Sequence, residues 1–203
     1  HNTTTVLFDS SGNPITASFV GLELQLFLPG EVVVIAGRLV EDQLTGIDWL
    51  GQQSFVDPKR IGVFGWSYGG FMTLRLLAAA SDKIAMGVSV APVTDWSLYD
   101  THYTEQFVGA TPKSDPEAYK NSGVFAHLDG LKSPLLLVHG MADDNVLFSN
   151  STQLIDALVN RNVKFDLMTY PGAKHGISSR PGQRHVYGTI EAFFRRHIGN
   201  DAR

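Results

Sequence analysis

A glycine-framed serine is the feature that most constrains how this chain can fold. In RIGVFGWSYGGFMTLRLL, Ser67 follows an apolar, strand-like run that ends at Phe64 and precedes an apolar run from Phe71 to Leu77 at helical spacing. Residues 65–69, GWSYG, fit the G-x-S-x-G nucleophile elbow, a turn from strand to helix so sharp that glycines are needed around the serine. The alternative is a glycine-rich turn without chemistry, and the strand and helix patterns on its two sides favour the elbow.

An elbow of this kind would lift the Ser67 hydroxyl clear of the carboxyl edge of a sheet. The first N–H groups of the following helix carry a partial positive charge and would point toward the space beside that hydroxyl. An acyl-transfer enzyme develops an oxyanion at this place, so the Tyr68 N–H is a candidate donor to it.

Composition narrows the possible classes of protein. The chain has 203 residues, 43% of them apolar, which is enough for one sizeable core and short for two full domains. Its formal net charge is -4 and it has no basic run, so no nucleic-acid partner is expected. The absence of cysteine excludes disulfides, thiolate catalysis and cysteine-based zinc sites. No apolar run approaches the roughly 18 residues of a membrane span.

The chain begins with His1 and has no apolar targeting segment, so its start is interpreted as processed or truncated. Its compartment is left open between the cytoplasm and the periplasm or export. Triplets beginning at Asn2 and Asn150 fit the N-glycosylation pattern, which is common by chance.

Hydrophobic patterns predict strands that alternate with helices. Strand-like runs at 3–8 and 15–20 flank a cluster of turn formers and predict a hairpin. Further strands are predicted at 22–28, 31–36 (as a buried strand), 61–64, 84–90, 134–139 and 164–170. Helices are predicted at 40–53, from the elbow to about 81, around 154–159, and from 186 to the end. This alternation predicts an α/β fold with a mostly parallel sheet and helices on both faces. Residues 93–123 are predicted to be a long aromatic insertion with weak periodicity.

A serine hydroxyl is a poor nucleophile and needs a base within hydrogen-bond reach, itself oriented by an acid. Two loops after Ser67 are predicted at the edge of the sheet formed by the carboxyl ends of the strands, where ligands bind. The loop after PLLLVH carries Asp143 and Asp144, and the loop after the last strand carries His175. The order serine, aspartate, histidine along the chain is that of the α/β-hydrolases.

Asp143 is predicted to accept the ring N–H of His175 and to stabilise the imidazolium that forms when the serine loses its proton. Asp143 is preferred to Asp144, although one of the two is expected to cap a helix or shape the turn. Gly176 is expected to let His175 approach the serine; the alternative is an ordinary solvated loop histidine. His139, at a strand end, is interpreted as structural, and no role is assigned to the remaining histidines.

Longer segments then give a family resemblance. GWSYGGFM, APVTDWSLYDTHYTEQF, SPLLLVHGMADDNVLF and MTYPGAKHGI resemble the catalytic domain of the prolyl oligopeptidase family, in particular its dipeptidyl peptidase IV branch and bacterial dipeptidyl aminopeptidases. The likeness begins near Glu41 and continues to the C terminus, with the motifs in the same order. It implies an α/β-hydrolase fold with Ser67 as nucleophile, Asp143 as orienting acid, His175 as base and the Tyr68 backbone N–H as one oxyanion donor.

The resemblance also implies a pocket for a small apolar substrate residue, typically proline. The matching positions are Val93, Trp96, Tyr99, Tyr103, Tyr68 and Val146. Asn145 would hydrogen-bond the carbonyl of the preceding substrate residue, and Tyr99 would face the substrate's free amine. The alternative is that these aromatic residues belong to the ordinary core.

The chain also departs from the family pattern. Family members carry a β-propeller before the hydrolase domain, whose paired glutamates hold the substrate's amino terminus, and this chain is expected to lack it. The family's second oxyanion donor, a tyrosine on an early loop, has no counterpart before Tyr68. Residues 1–40 are therefore treated as a poorly matching segment of hairpin and early strands, and 41–203 as the catalytic domain. Part of the N-terminal strands is expected to be missing.

These features predict a serine peptidase that works through an acyl-enzyme. By resemblance, it would release dipeptides with proline or alanine at the second position from free amino termini. No metal or organic cofactor is expected. The expected partner is a peptide substrate, and a homodimer is left open. The alternatives are a broader esterase or acylaminoacyl peptidase, and a catalytically silent hydrolase-fold domain kept for binding. Retention of the complete serine, aspartate and histidine set argues against the silent domain.

Overall fold

One mixed sheet organises the protein. The computed structural model describes residues 2–8, 14–20, 23–28, 31–36 and 40–198, with side chains described from 40 to 197. The strands are β1 (Asn2–Phe8), β2 (Pro14–Val20), β3 (Glu23–Leu28), β4 (Glu31–Ala36), β5 (Gly62–Trp66), β6 (Met86–Val90), β7 (Leu135–Gly140) and β8 (Asp166–Tyr170). Their order is β4-β3-β2-β1-β5-β6-β7-β8. The pairs from β4 to β5 are antiparallel, whereas β5, β6, β7 and β8 run parallel.

Helices precede, connect and follow the strands of the parallel half. They are α1 (Val40–Gly51), α2 (Tyr68–Ala79), α3 (Thr101–Val108), α4 (Pro116–Ser122), α5 (Ser149–Asn160) and α6 (Arg180–Ile198), with short 3₁₀ turns at Trp96–Leu98 and Phe125–Gly130. Within these described ranges, every helix is too short or too polar to cross a membrane.

Both faces of the parallel half are covered, as β7 shows. Leu135 and Leu137 pack into a core cluster that includes residues of α1, α2 and α5. Leu136 and Val138 point to the opposite face and pack into a second cluster with residues of α6. Side chains alternate across a strand, so a strand that is buried on both faces reads as a continuous apolar run. The predicted α/β fold with parallel strands and helices on both faces is confirmed.

One of two expectations about the N-terminal strands needs correction. The hairpin of β1 and β2 is present, although its turn lies outside the described residues. The strand at 31–36 is predicted as a buried strand, but β4 lies at the edge of the sheet and pairs only with β3 among the described strands. An apolar, β-branched run indicates a strand but does not reveal the position of that strand in the sheet.

The insertion at 93–123 is more regular than its weak periodicity predicts, because side-chain caps define two short helices. The Asp100 carboxylate accepts the N–H of Tyr103 at the start of α3. Asp115 does the same for the N–H of Ala118 at the start of α4. The helices are only 8 and 7 residues long, too short for an apolar stripe to reveal them.

Candidate active site

Ser67 lies at the turn between β5 and α2 in a strained conformation. Its backbone has φ 61° and ψ −119°, a region that residues other than glycine rarely occupy. The Ser67 N–H donates to the Val90 carbonyl (2.8 Å), and the Phe71 N–H donates to the Ser67 carbonyl (3.0 Å). A Cβ atom at Gly65 would lie 2.0 Å from the Gly69 carbonyl oxygen, so only glycine allows the chain to turn this sharply. The local geometry is that of a nucleophile elbow.

His175 lies in the loop after β8 and is held against the nucleophile strand. The Trp66 indole N–H donates to the His175 carbonyl oxygen (2.8 Å), which brings the loop beside the residue that precedes Ser67. The Nδ1 atom of the imidazole lies 2.8 Å from Oδ2 of Asp143. Nε2, on the other side of the ring, is buried and has no hydrogen-bond partner in the part of the chain that the structure describes. The ring thus has one nitrogen on the carboxylate and the other available to accept a proton.

Asp143 is the centre of a hydrogen-bond network. Its Oδ1 atom accepts the backbone N–H groups of Asn145 (2.9 Å) and Val146 (3.0 Å), and its Oδ2 atom faces the imidazoles of His175 and His139. Burial acts to raise the pKa of Asp143, but the hydrogen bonds from His139, His175 and the Asn145 N–H outweigh it, and the pKa lies well below its usual range. The residue is therefore a carboxylate at neutral pH.

Asp144 has a different environment. Its side chain is exposed and pairs with the Lys174 ammonium group at 2.5 Å. That pair holds the pKa of Asp144 below its ordinary value and raises the pKa of Lys174. Of the two adjacent aspartates, the structure brings Asp143 to the histidine and leaves Asp144 at the surface.

The acid loop and the histidine loop lie side by side. The Met141 N–H donates to the Tyr170 carbonyl and the Ala142 N–H to the Ala173 carbonyl, both at 3.0 Å. A Cβ atom at Gly140 would lie 2.4 Å from the Ala173 oxygen and 2.8 Å from the oxygen of Lys174, so glycine is required for this contact.

Gly176, expected to let His175 approach the serine, has no crowded contact. A Cβ atom there would meet only the Ser178 Cβ, at an ordinary 3.9 Å. The tight packing that places His175 beside Asp143 lies instead at Gly140, on the opposite loop. Adjacency to the histidine in the sequence thus does not reveal which glycine the packing requires, because the crowded contact joins two segments that are distant along the chain.

The residues predicted to form a pocket lie together beside the elbow helix. Trp96 is at their centre, with ring centroids 6.2 Å from Tyr68, 6.1 Å from Tyr99 and 6.0 Å from Tyr103. Trp96 is nearly buried, whereas the three tyrosines are partly exposed. Burial raises the pKa of Tyr68 and of Tyr103, so both hydroxyls are neutral near pH 7.

The other predicted pocket residues differ in exposure. Val93 and Val146 are buried in the core, at 2% and 0% exposure. Asn145 is exposed, and its Oδ1 atom accepts the Tyr99 hydroxyl (3.1 Å), which joins the insertion to the acid loop. Both residues predicted to make polar contacts with substrate therefore lie at the surface and touch each other.

Sequence reasoning did not identify two buried polar contacts around the site. His139 is completely buried and contacts the Asp143 carboxylate. The sequence interpretation gave it a structural role but did not predict this contact. The signal was its i, i+4 spacing from Asp143 in HGMAD. Asn150 is also completely buried, and its side chain accepts the Thr94 N–H (2.9 Å). The second glycosylation triplet is therefore inaccessible in the folded protein.

The low pKa of Asp143 makes a prediction for acid stability. The pKa of an unfolded aspartate is about 3.9, and the pKa of Asp143 in the folded protein is lower. The hydrogen bonds to the carboxylate therefore stabilise the protein fully above the unfolded pKa. Their contribution should be lost as the pH falls below about 4 toward the folded pKa. We expect the free energy of unfolding of the parent protein to fall more steeply over this range than that of Asp143→Asn, measured by denaturant titration at each pH. If the free energies of unfolding of the two proteins depend on pH in the same way, Asp143 does not have a lowered pKa in the folded protein.

Comparison with known proteins decides the family. Residues 35–201 match the prolyl oligopeptidase family, which is most of the chain. The chain belongs to the prolyl oligopeptidase family. The resemblance seen in the sequence is confirmed, and with it the α/β-hydrolase fold, in a family of serine peptidases.

Individual relatives agree with this family. The chain is 42% identical to dipeptidyl peptidase 4 of Felis catus over 159 residues, and 43% identical to prolyl endopeptidase FAP of Mus musculus over 159 residues. Each match covers 77% of this chain and 21% of the relative. The crystal structure of Porphyromonas gingivalis dipeptidyl peptidase 4 is similar with a TM-score of 0.77 and 27% identity, covering 96% of this chain and 35% of that one. The chain thus spans about a fifth of the length of these curated relatives.

Proposed function

We propose that this chain is a serine peptidase domain that cleaves peptide bonds through an acyl-enzyme. The observation that carries the proposal is the 2.8 Å contact of His175 Nδ1 with a buried carboxylate, in a loop fastened to the strand that ends at the Ser67 elbow. The order of these residues along the chain and the family membership support it.

The residues suit the steps of acyl transfer. Ser67 attacks the peptide carbonyl while His175 accepts the hydroxyl proton at Nε2, and the Asp143 carboxylate stabilises the imidazolium. Backbone N–H groups at the start of α2, including that of Tyr68, stabilise the oxyanion of the tetrahedral intermediate. The imidazolium then protonates the leaving amine, and a water molecule activated by His175 hydrolyses the acyl-enzyme.

For the substrate, we propose peptides with a free amino terminus that are cleaved after a proline or alanine at the second position. The aromatic cluster around Trp96 offers an apolar surface beside the nucleophile, which suits a small ring or a methyl group. Asn145 at the rim can donate its amide N–H to a substrate carbonyl. Relatives named dipeptidyl peptidase 4 are consistent with this choice.

A second candidate is cleavage of peptides without a free amino terminus. It is favoured by the 43% identity to a relative named prolyl endopeptidase FAP. The two candidates share the same chemistry at Ser67 and differ only in what binds the amino-terminal side of the substrate. Matched chromogenic substrates with free and blocked glycyl-prolyl groups separate them, and short acyl esters reveal a broader esterase.

A fluorophosphonate probe tests the chemistry itself. We expect a mass increase on the peptide that contains Ser67, because the activated hydroxyl attacks the phosphorus centre and displaces fluoride. Ser67→Ala should abolish the label, and His175→Ala should slow it by several orders of magnitude. A parent protein that folds and is not labelled would contradict the peptidase and favour a silent binding domain. If the protein is labelled but hydrolyses no peptide, Ser67 is an activated nucleophile and the proposed substrate is wrong.

A further inference from the structure

The candidate acid has two histidine partners. Oδ2 of Asp143 lies 2.8 Å from Nδ1 of His175 and 3.1 Å from Nε2 of His139, and the peptidase mechanism uses only the first contact. The His139 side chain is completely buried, as is that of Asp143. A buried polar group costs stability unless its hydrogen bonds are satisfied, so its partners in the core are specific. This second imidazole therefore requires an explanation.

The surroundings of His139 determine which ring nitrogen carries a proton. Nε2 lies within hydrogen-bond distance of the Asp143 carboxylate and of the Val146 carbonyl oxygen (2.9 Å). Both of these groups are acceptors only, so Nε2 must be the donor. In the neutral ring Nδ1 is then an acceptor, and the Ser151 hydroxyl, 2.7 Å away, donates to it. The contacts thus favour one tautomer.

The ring of His139 is also fixed in position. Ser151 belongs to α5, which holds Nδ1 from one side. The ring of Phe148 packs edge-on against the imidazole, with centroids 5.4 Å apart at 86°. His139 itself lies in β7, the strand that leads into the acid loop. A rigid strand and the start of a helix therefore hold this donor in place, whereas the carboxylate that it contacts is on a loop.

We propose that His139 is a positioning residue for the acid of the peptidase site. Its Nε2–H holds Oδ2 of Asp143 toward His175, while the N–H groups of Asn145 and Val146 hold Oδ1. With both oxygens held, rotation of the carboxylate about its terminal bond is restricted, and Oδ2 faces the imidazole of His175. This inference rests on the proposed role of Asp143 and adds a residue that acts through it.

The arrangement has a consequence for proton transfer. A carboxylate that accepts more hydrogen bonds holds each donor less strongly, because its negative charge is shared among them. The titratable groups around Asp143 are His139 from β7, His175 from the loop after β8, and the exposed pair of Asp144 with Lys174. Without His139, His175 would be the only imidazole donor and its imidazolium would be held more tightly. The acidic limb of the rate profile should then move to higher pH.

The experiment compares probe acylation of the parent protein, His139→Leu and His139→Gln across pH. We expect His139→Leu to react about tenfold to a hundredfold more slowly, the effect of losing a hydrogen bond to a charged group, with its acidic limb at higher pH. The amide N–H of His139→Gln occupies the place of Nε2–H and should restore most of the rate and the position of the limb. Ser151→Ala leaves the donor present and should have a smaller effect. His127→Leu, which removes a histidine outside the network, is the matched control.

A second measurement does not depend on activity. With histidine ring nitrogens labelled, NMR should show exchange-protected N–H protons of both His139 and His175 shifted downfield by the shared carboxylate. His139→Leu should remove the first and shift the second. If the parent protein shows both signals but is not acylated, the peptidase proposal fails and the positioning geometry stands.

Two results would overturn the role of His139. One is a folded His139→Leu protein with the parent's rate profile and His175 signal. The other is a His139→Gln protein of normal stability that is as slow as the leucine variant, because the donor would then be irrelevant. Where His139→Leu does not fold, His139→Met, whose flexible side chain also lacks a donor, takes its place in both measurements.

Discussion

Asp143→Asn is expected to lower the acylation rate by about four orders of magnitude, as loss of the orienting carboxylate does in serine peptidases. The backbone N–H groups of Asn145 and Val146 face Oδ1, so the amide oxygen must take that position. The amide NH2 then replaces Oδ2 and presents a donor to Nδ1 of His175. The imidazole must accept this hydrogen bond at Nδ1 and carry its own proton at Nε2, which can then no longer accept the proton of Ser67.

The matched control for this variant is Asp144→Asn. Asp144 is the adjacent carboxylate, but it is exposed and paired with Lys174 at the surface. Exposed ion pairs contribute little, so its loss should leave the rate close to that of the parent protein. Rates would be measured with a fluorophosphonate and with a chromogenic ester. Equal losses in both variants, or a nearly unchanged Asp143→Asn, would show that Asp143 is not the acid.

Gly140→Ala should have the second large effect, through the position of His175. The added methyl group would lie 2.4 Å and 2.8 Å from the carbonyl oxygens of Ala173 and Lys174, which are backbone atoms that cannot rotate away. The histidine loop must therefore retreat from the acid loop. A displacement of about 1 Å in a catalytic group can cost roughly a hundredfold in rate, and we expect a loss of kcat/KM of this order.

Gly176→Ala is the control for this substitution, because it introduces the same methyl group in the histidine loop that faces Gly140. Its nearest neighbour would be the Ser178 Cβ at 3.9 Å, so the rate should change little. Denaturant unfolding of both variants separates a displaced loop from a general loss of stability. A Gly140→Ala protein with the parent's rate, or a Gly176→Ala protein with the greater loss, would contradict the close packing of Gly140 against the histidine loop.

Much of the fold follows from local patterns. Strands β5 to β8 were predicted from apolar runs and the helices α2, α5 and α6 from apolar residues at helical spacing, and glycines at 65 and 69 indicate the turn at Ser67. The helices α3 and α4 were not predicted, since they depend on the capping aspartates Asp100 and Asp115 rather than on an apolar stripe. The edge position of β4 was also missed, because strand order arises from pairing between distant segments.

The candidate site was likewise predicted only in part from the sequence. Residue type and order along the chain predicted that Asp143 and His175 meet, because parallel strands bring their carboxyl ends to one edge, and the structure places their side chains in contact. The catalytic roles of Ser67, Asp143 and His175 stay a prediction. The choice of Gly140 as the crowded position and the contact of His139 with Asp143 depended on atoms that are far apart in sequence and meet within a few ångströms. Periodicity reports which face of an element is apolar, whereas close contacts between loops are set by three-dimensional packing. For this reason the residue types of the candidate site could be predicted from the sequence, whereas the contacts that hold those residues in place required the folded structure.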